Sequence, residues 1–203
     1  MQKLVAALFV NGKIVTGNHH GEAYSKLNNH EKSCSCQSGF FDPQQNRFVC
    51  DDNEFYVKKI IMVRHAEAEQ GIDPGITELG RLQCVQTASF FKSLDDLQSY
   101  QGFTSPLARC QETAQVLCNE INLNFDVDCD LVDDDDEPHS LFIFRLKTLL
   151  KTLPDRSILI SHCNFIANMA QLATGMEFDT LHLPNCSITV VENNNIVHIG
   201  KTL

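Results

Sequence analysis

Tryptophan is absent from this chain, tyrosine occurs only three times, and positive charge is scarce. Sixteen Lys and Arg stand against 26 Asp and Glu, a formal net charge of -10. That deficit argues against nucleic acid or an anionic membrane as a partner. It also means that any phosphate site here must concentrate a few cations locally. Long apolar runs are missing too. Leu4–Val10 is apolar but short, Asn11-Gly12 follows it, and no small-residue cleavage site does. It reads as a strand and not as the core of a secretory signal. No stretch approaches the length of a membrane-spanning helix. The cysteines form no regular framework: there are nine, an odd number, most of them inside expected helices and strands. Without a secretory signal they are expected to be reduced thiols of a cytoplasmic protein. What a core needs is present, with 43% hydrophobic and 21% charged residues, the proportions of a globular chain.

The chain divides by character at about residue 58. Residues 1–57 are rich in turn residues, His and Cys, and are expected to form a small, mainly β appendage. Leu4–Val10 and Lys13–Val15 flank Asn11-Gly12, the signature of a hairpin with a type I′ turn. Gly39–Phe41 and Arg47–Val49 read as a second pair, with Lys26–Ser38 as a loop. From 58 to 203, strands alternate with helices. Lys59–Val63 is a short apolar run suited to a strand buried on both faces. Thr77 reads as the N-cap of a helix from Glu78 to about Phe91, with Leu79, Leu82, Val85 and Ala88 on its apolar side. A strand at Gly102–Thr104, a helix from about Leu107 to Ile121 and a short strand at Phe125–Val127 follow. The acidic run Asp133–Glu137 then leads to Pro138, at the first position of a helix whose apolar face is Phe142, Leu146, Leu149, Leu150 and Leu153. Ser157–Ile160 is a buried strand leading into a helix, and Ser187–Val191 and Asn195–Ile199 close the chain around Asn193-Asn194. Such alternation predicts an α/β fold, a three-layer α/β/α sandwich around a mostly parallel sheet.

Ligands of open α/β sheets bind beyond the carboxyl ends of the strands. Two of these strand ends carry a histidine directly after a buried run: Val63-Arg64-His65-Ala66-Glu67 and Ile160-Ser161-His162-Cys163-Asn164. A third, Thr104-Ser105-Pro106-Leu107-Ala108-Arg109, delivers an arginine to the same rim. Two imidazoles and two guanidiniums converging on one point suit a tetrahedral dianion, because the guanidinium fork donates parallel hydrogen bonds and stays charged. A neutral imidazole beside bound phosphate can attack phosphorus. The remaining groups would neutralise charge on the transferring oxygens, so no metal or other cofactor is expected. The leaving group still needs a proton from an acid nearby.

Arg64-His65-Ala66-Glu67 resembles the Arg-His-Gly-Glu signature of the histidine phosphatase superfamily, which includes the cofactor-independent phosphoglycerate mutases. Ile76-Thr77-Glu78-Leu79-Gly80-Arg81-Leu82-Gln83 is similar to that family's Leu-Thr-Glu-x-Gly-x-x-Gln helix start. Ser105–Ala114 resembles its Ser-x-x-x-Arg-x-x-x-Thr-Ala segment, Ser161-His162 its second histidine motif, and Asn185-Cys186-Ser187 its Asn-x-Ser strand. The matches are ordered and span about residues 58–203. The resemblance implies a phosphoglycerate mutase-like fold, His65 as nucleophile, and Arg64, Arg109 and His162 as phosphoryl ligands. The compact spacing looks most like the small phosphohistidine phosphatase branch. Leu131-Val132-Asp133 fits the place where many members carry the proton donor, which favours Asp133 over Asp134, Asp135, Asp136 and Glu137. Departures are Ala66 and Cys163 where the family has glycine, and Ala68 where it has a small hydroxyl residue. The Cys163 amide can still donate to phosphate, with strain if the position requires a positive φ.

The expected activity is hydrolysis of a phosphate monoester or a phosphoprotein, phosphohistidine included. The alternatives are a phosphomutase and a non-catalytic phosphate-binding module. Glu67 is expected to order the site and not to react, and Asp136 and Glu137 to cap the following helix. Cys163 reads as a small filler near the pocket. In the appendage, His19, His20, His30, Cys34, Cys36 and Cys50 are zinc-type ligands, but their spacing fits no standard pair and they read as loop residues.

Overall fold

The computed structural model of the protein describes residues 5–10, 13–17, 23, 25–26, 37–42, 47–50, 59–133, 137–176 and 183–202. His19, His20, His30, Cys34 and Cys36, read as loop residues, the turn at 11–12 and the acidic residues 134–136 lie outside them.

Two sheets are formed by two separate stretches of chain. The first is antiparallel and contains β1 (Val5–Val10), β2 (Lys13–Gly17), β3 (Gln37–Asp42) and β4 (Arg47–Cys50) in the order β2-β1-β3-β4. Both expected hairpins form, with Val10 opposite Lys13 and Asp42 opposite Arg47. Their joining through the antiparallel β1–β3 pair was not legible in the local pattern.

The second sheet has six strands: β5 (Lys59–Arg64), β6 (Gln101–Thr104), β7 (Phe125–Val127), β8 (Ser157–Ser161), β9 (Ile188–Glu192) and β10 (Asn195–Lys201). Their order is β10-β9-β5-β8-β6-β7. The β5–β8, β8–β6 and β6–β7 pairings are parallel, while β9 runs antiparallel to β5 and to β10. Asn193 and Asn194, at φ 50° and 58°, supply the left-handed pair that turns β9 into β10.

Strand residues alternate between two cores because successive side chains point to opposite faces. Ile61 and Val63 pack with Ile158 and Ile160 under α1 (Glu78–Lys92) and α2 (Ala108–Ile121). Ile60, Met62 and Leu159 pack under α3 (His139–Thr152) and α4 (Cys163–Thr174). This is the expected three-layer sandwich. No helix among the described residues is long and apolar enough to cross a membrane.

Helix α1 departs from its expected face. Thr77 caps it as anticipated, its side chain accepting from the Gly80 amide. The buried residues, however, are Gly80, Cys84, Thr87, Ala88 and Phe91, while Leu79, Leu82 and Val85 are exposed. Small residues decide the facing. A Cβ at Gly80 would lie 2.4 Å from the Glu67 carbonyl oxygen, so only glycine lets this turn sit against the loop after β5. Close approach of backbone therefore overrides the apolar stripe read from the sequence. Pro138 stands one position before α3, its carbonyl accepting from the amides of Leu141 and Phe142. The N-cap position is Pro138, with no side-chain cap bond, and the Glu137 carboxylate is held by Arg145, which corrects the expectation that Glu137 caps this helix.

Candidate active site

Parallel pairing of β5 with β8 fixes the site. Arg64 stands opposite Ser161, and the His65 amide donates to the Ser161 carbonyl at 2.9 Å. The next residue on each strand is a histidine, and the rings of His65 and His162 come to 5.4 Å between centroids, tilted by 58°. On the other side of β8, the Ser105 amide donates to the Ile160 carbonyl at 3.0 Å, so β6 ends level with β8. Helix α2 opens three residues later and carries Arg109 on its first turn. Its first amide, that of Ala108, donates to Asp73 Oδ1 at 2.8 Å, a cap supplied from the loop after β5.

The hydrogen bonds settle both imidazole tautomers. His65 Nδ1 lies 2.8 Å from the Ala66 carbonyl, which can only accept, so Nδ1 carries the proton and Nε2 the lone pair. At His162 the assignment is reversed. Arg109 Nη2 donates to Nδ1 at 3.3 Å, and Nε2 faces Ser105 Oγ at 2.9 Å. Both nitrogens of His162 thus have partners within the protein. Burial, reinforced by the guanidiniums of Arg109 and Arg64, lowers His65 to about 4. Burial, with Arg109, lowers His162 to about 3. Both rings are neutral near pH 7, so positive charge at the rim comes from the arginines and not, as expected, from the second histidine as well.

Arg64 is tied back by a bond from Nη1 to the Leu183 carbonyl, and its amide donates to the Ser187 carbonyl at 3.1 Å. Its Nε is buried with no hydrogen-bond partner among the described residues, as is Ser187 Oγ. Glu67 acts on the loop: its carboxylate accepts from Thr77 Oγ1 at 3.0 Å and its amide donates to Gln83 Oε1 at 2.9 Å. Ala66 is fully buried and its amide donates to Thr113 Oγ1 at 3.0 Å. A methyl group in place of the family's glycine is accommodated there. Ala68 pairs with Ile76 as an isolated β-bridge.

Cys163 is the first residue of α4 and is not among the residues of positive φ, so the anticipated strain does not arise. Cys110, whose Sγ lies 3.6 Å from His162 Nε2, has its thiol pushed up to about 12 by burial and is no nucleophile at neutral pH. Among the described residues no cluster of His, Cys, Asp or Glu is placed to hold a metal ion.

The acidic segment lies beside this cluster. Asp133 Oδ1 accepts from the Phe165 amide at 2.6 Å, capping the helix that His162 leads into. Glu137 is paired with the guanidinium of Arg145. Arg145 was missed from the sequence. It sits three residues after Phe142 and four before Leu149, in the middle of the buried face of α3, and is 2% exposed. A charge on that face is a detectable signal, because a buried guanidinium requires acceptors. Ser105 and Thr113 are the Ser and Thr of the Ser-x-x-x-Arg-x-x-x-Thr-Ala pattern, which marks their positions but not their bonds to His162 and to the Ala66 amide.

Residues 60–135 match the model of the histidine phosphatase superfamily (branch 1). No curated protein matches the chain significantly by sequence. Among solved structures, mycobacterial hydrolase 1 superposes with a TM-score of 0.56 at 18% identity, over 72% of this chain and 99% of its own. A mycobacterial glucosyl-3-phosphoglycerate phosphatase gives 0.51 at 19% identity, over 66% and 89%. A candidate alpha-ribazole-5'-P phosphatase from Escherichia coli gives 0.57 at 12% identity, over 71% and 97%.

Proposed function

The chain has the histidine phosphatase fold and carries that superfamily's sequence pattern over residues 60–135, and on that premise we propose that it is a metal-independent phosphatase working through a phosphohistidine on His65. The observation that carries this reading is the tautomer of His65. Nδ1–H is bound to the Ala66 carbonyl, which leaves the Nε2 lone pair for attack, and the lowered pKa keeps that lone pair unprotonated.

In the first step Nε2 attacks phosphorus and the P–O bond to the leaving group breaks. Arg64 and Arg109 hold the equatorial oxygens, with the Arg64 Nε and the Cys163 amide as further donors. His162 Nδ1 accepts from Arg109 in the free enzyme; a bound dianion draws that guanidinium away and favours the imidazolium, whose Nδ1–H then donates to the phosphoryl group. Asp133 gives its proton to the departing oxygen. Oδ1 is committed to the Phe165 amide, so the proton travels on Oδ2. In the second step Asp133 takes a proton from water as the water oxygen attacks phosphorus. The P–N bond then breaks and phosphate leaves. The rim carries no inserted cap between β5 and α1, which suits an accessible phosphate monoester or a phosphoprotein, phosphohistidine included.

The test is hydrolysis of an aryl phosphate in the presence of EDTA. Wild-type turnover should persist, and His65→Ala should lower kcat by about 10⁴-fold or more, the scale for loss of a nucleophile. Acid-labile, base-stable phosphate on the wild-type chain should be trapped during turnover. Phosphate binding without any turnover in the wild type would mark a binding module. Phosphoryl movement within a bisphosphate-primed substrate would mark a mutase.

A further inference from the structure

We propose that Arg145 is a positioning residue for proton transfer, a buried clasp that holds Asp133 in place. The inference rests on Asp133 being the proton donor. Arg145 is among the largest fully buried side chains of the molecule. Nη1 donates to the carbonyls of Asp130 and, at 2.9 Å, of Val132, and Nη2 reaches the Asp133 carbonyl at 3.4 Å. Nε donates to Glu137 Oε1 at 2.9 Å, and Nη2 bonds the same oxygen. One guanidinium therefore binds backbone on the near side of the acidic run and the carboxylate on its far side. Phe142 of the same helix stacks under it, 5.0 Å from guanidinium carbon to ring centroid.

This arrangement has a consequence for Asp133. The segment 128–133 has no strand partner beyond its own 3-10 turn at Cys129–Leu131. Its first residue is tied to β6 by the bond from the Asp128 amide to the Thr104 carbonyl at 2.9 Å, and further along Ser161 Oγ donates to the Leu131 carbonyl at 2.6 Å. Three of its carbonyls converge on Arg145. A guanidinium is the one side chain with enough fixed donors to satisfy three carbonyls and a carboxylate together. Without it, those part-buried carbonyls would lose their donor inside the protein and the segment would rearrange toward water. The Asp133 carboxylate would then leave the N-terminus of α4, where His162 and Cys163 present the phosphate site. Arg145 also contributes to holding His162 neutral, so its charge reaches the reacting groups although it contacts none of them.

The test compares three variants on two substrates, an alkyl phosphate and p-nitrophenyl phosphate. Asp133→Asn reports the donor itself. Arg145→Lys keeps the charge but lacks the fork. The double variant Arg145→Met with Glu137→Gln removes the buried charges together, so that no unpaired ion burdens folding. Melting curves confirm that each variant is folded.

Asp133→Asn should lower kcat for the alkyl phosphate by about 100-fold or more and for the nitrophenyl ester by less than about 5-fold, since only a poor leaving group needs the proton. The double variant should follow the same pattern at about 30-fold or more, with KM changed by less than about 3-fold, and Arg145→Lys should recover part of the loss. The limb of the kcat–pH profile lost in Asp133→Asn should shift in the double variant. A merely structural role would lower both substrates in proportion. If Asp133→Asn shows the leaving-group dependence and the folded Arg145 variants do not, the clasp is wrong. If Asp133→Asn itself shows none, the donor assignment falls and the role of Arg145 falls with it.

Discussion

Arg64, His65 and His162 stand at the ends of two neighbouring strands in fixed register, whereas Asp133 stands five residues past the last backbone bond to the sheet, that of the Asp128 amide to the Thr104 carbonyl, on a stretch that side-chain bonds hold. The first group inherits its geometry from the β5–β8 ladder, flanked by β9 and β6 and buried on both faces. Moving His65 relative to His162 would require breaking the central pairing of the sheet. Beyond Asp128 the acidic side has no strand ladder of this kind. Its position follows from the Arg145 contacts, the Asp133 cap on α4 and the Ser161 bond to Leu131. Two kinds of support thus meet in one site: cooperative backbone pairing for the groups proposed to hold charge, and a few side-chain bonds for the group proposed to move a proton. Ladder bonds are lost together and side-chain bonds singly, so the two halves should respond differently to perturbation.

The largest effect should come from the charge-holding half. Arg109→Ala is expected to lower kcat/KM by about 10²–10³-fold for both a good and a poor leaving group, because it removes a donor to the transferring oxygens. A loss confined to the alkyl substrate would erase the division of labour between the halves. Hydrogen exchange should show the mechanical contrast next. The His65 amide, bonded to Ser161 within the sheet, should exchange about tenfold or more slowly than the Phe165 amide bonded to the Asp133 side chain. Equal protection would mean that the acidic segment is as firmly built as the ladder.

The smallest effect is one of pH and also belongs to the ladder half. The two histidines are held in the fold at about 4 and about 3, against 6.5 when unfolded. Between pH 6.5 and 4 the unfolded chain binds protons that the folded chain refuses, so stability falls as pH falls through that window. The melting temperature should decline from pH 7 to pH 5, and His65→Gln should flatten the decline. Added phosphate should oppose it, since a bound dianion favours the imidazolium. A melting temperature unchanged between pH 7 and pH 5 would overturn the buried neutral pair.

Much of this was readable along the chain. The alternation of apolar runs with amphipathic stretches marked the second sheet and its four helices, because strand and helix periods are local properties. Thr77, Asn193-Asn194 and the strand-end placement of His65, Arg109 and His162 were legible for the same reason. The inward face of α1 was not, since it depends on how closely Gly80 approaches the Glu67 carbonyl. Nor was the partner of Glu137, because Arg145 lies eight residues away on a helix read as an apolar face.

The sequence by itself determined which chemical groups stand at which strand ends, since a residue's place after a buried run follows from local pattern alone. Only the tertiary structure decided their states. The tautomers of the two imidazoles depend on which carbonyl, hydroxyl or guanidinium each nitrogen meets across the sheet. Their neutrality depends on burial under two helices. The place of Asp133 depends on a guanidinium drawn into the core, where few donors other than arginine can satisfy so many backbone acceptors at once.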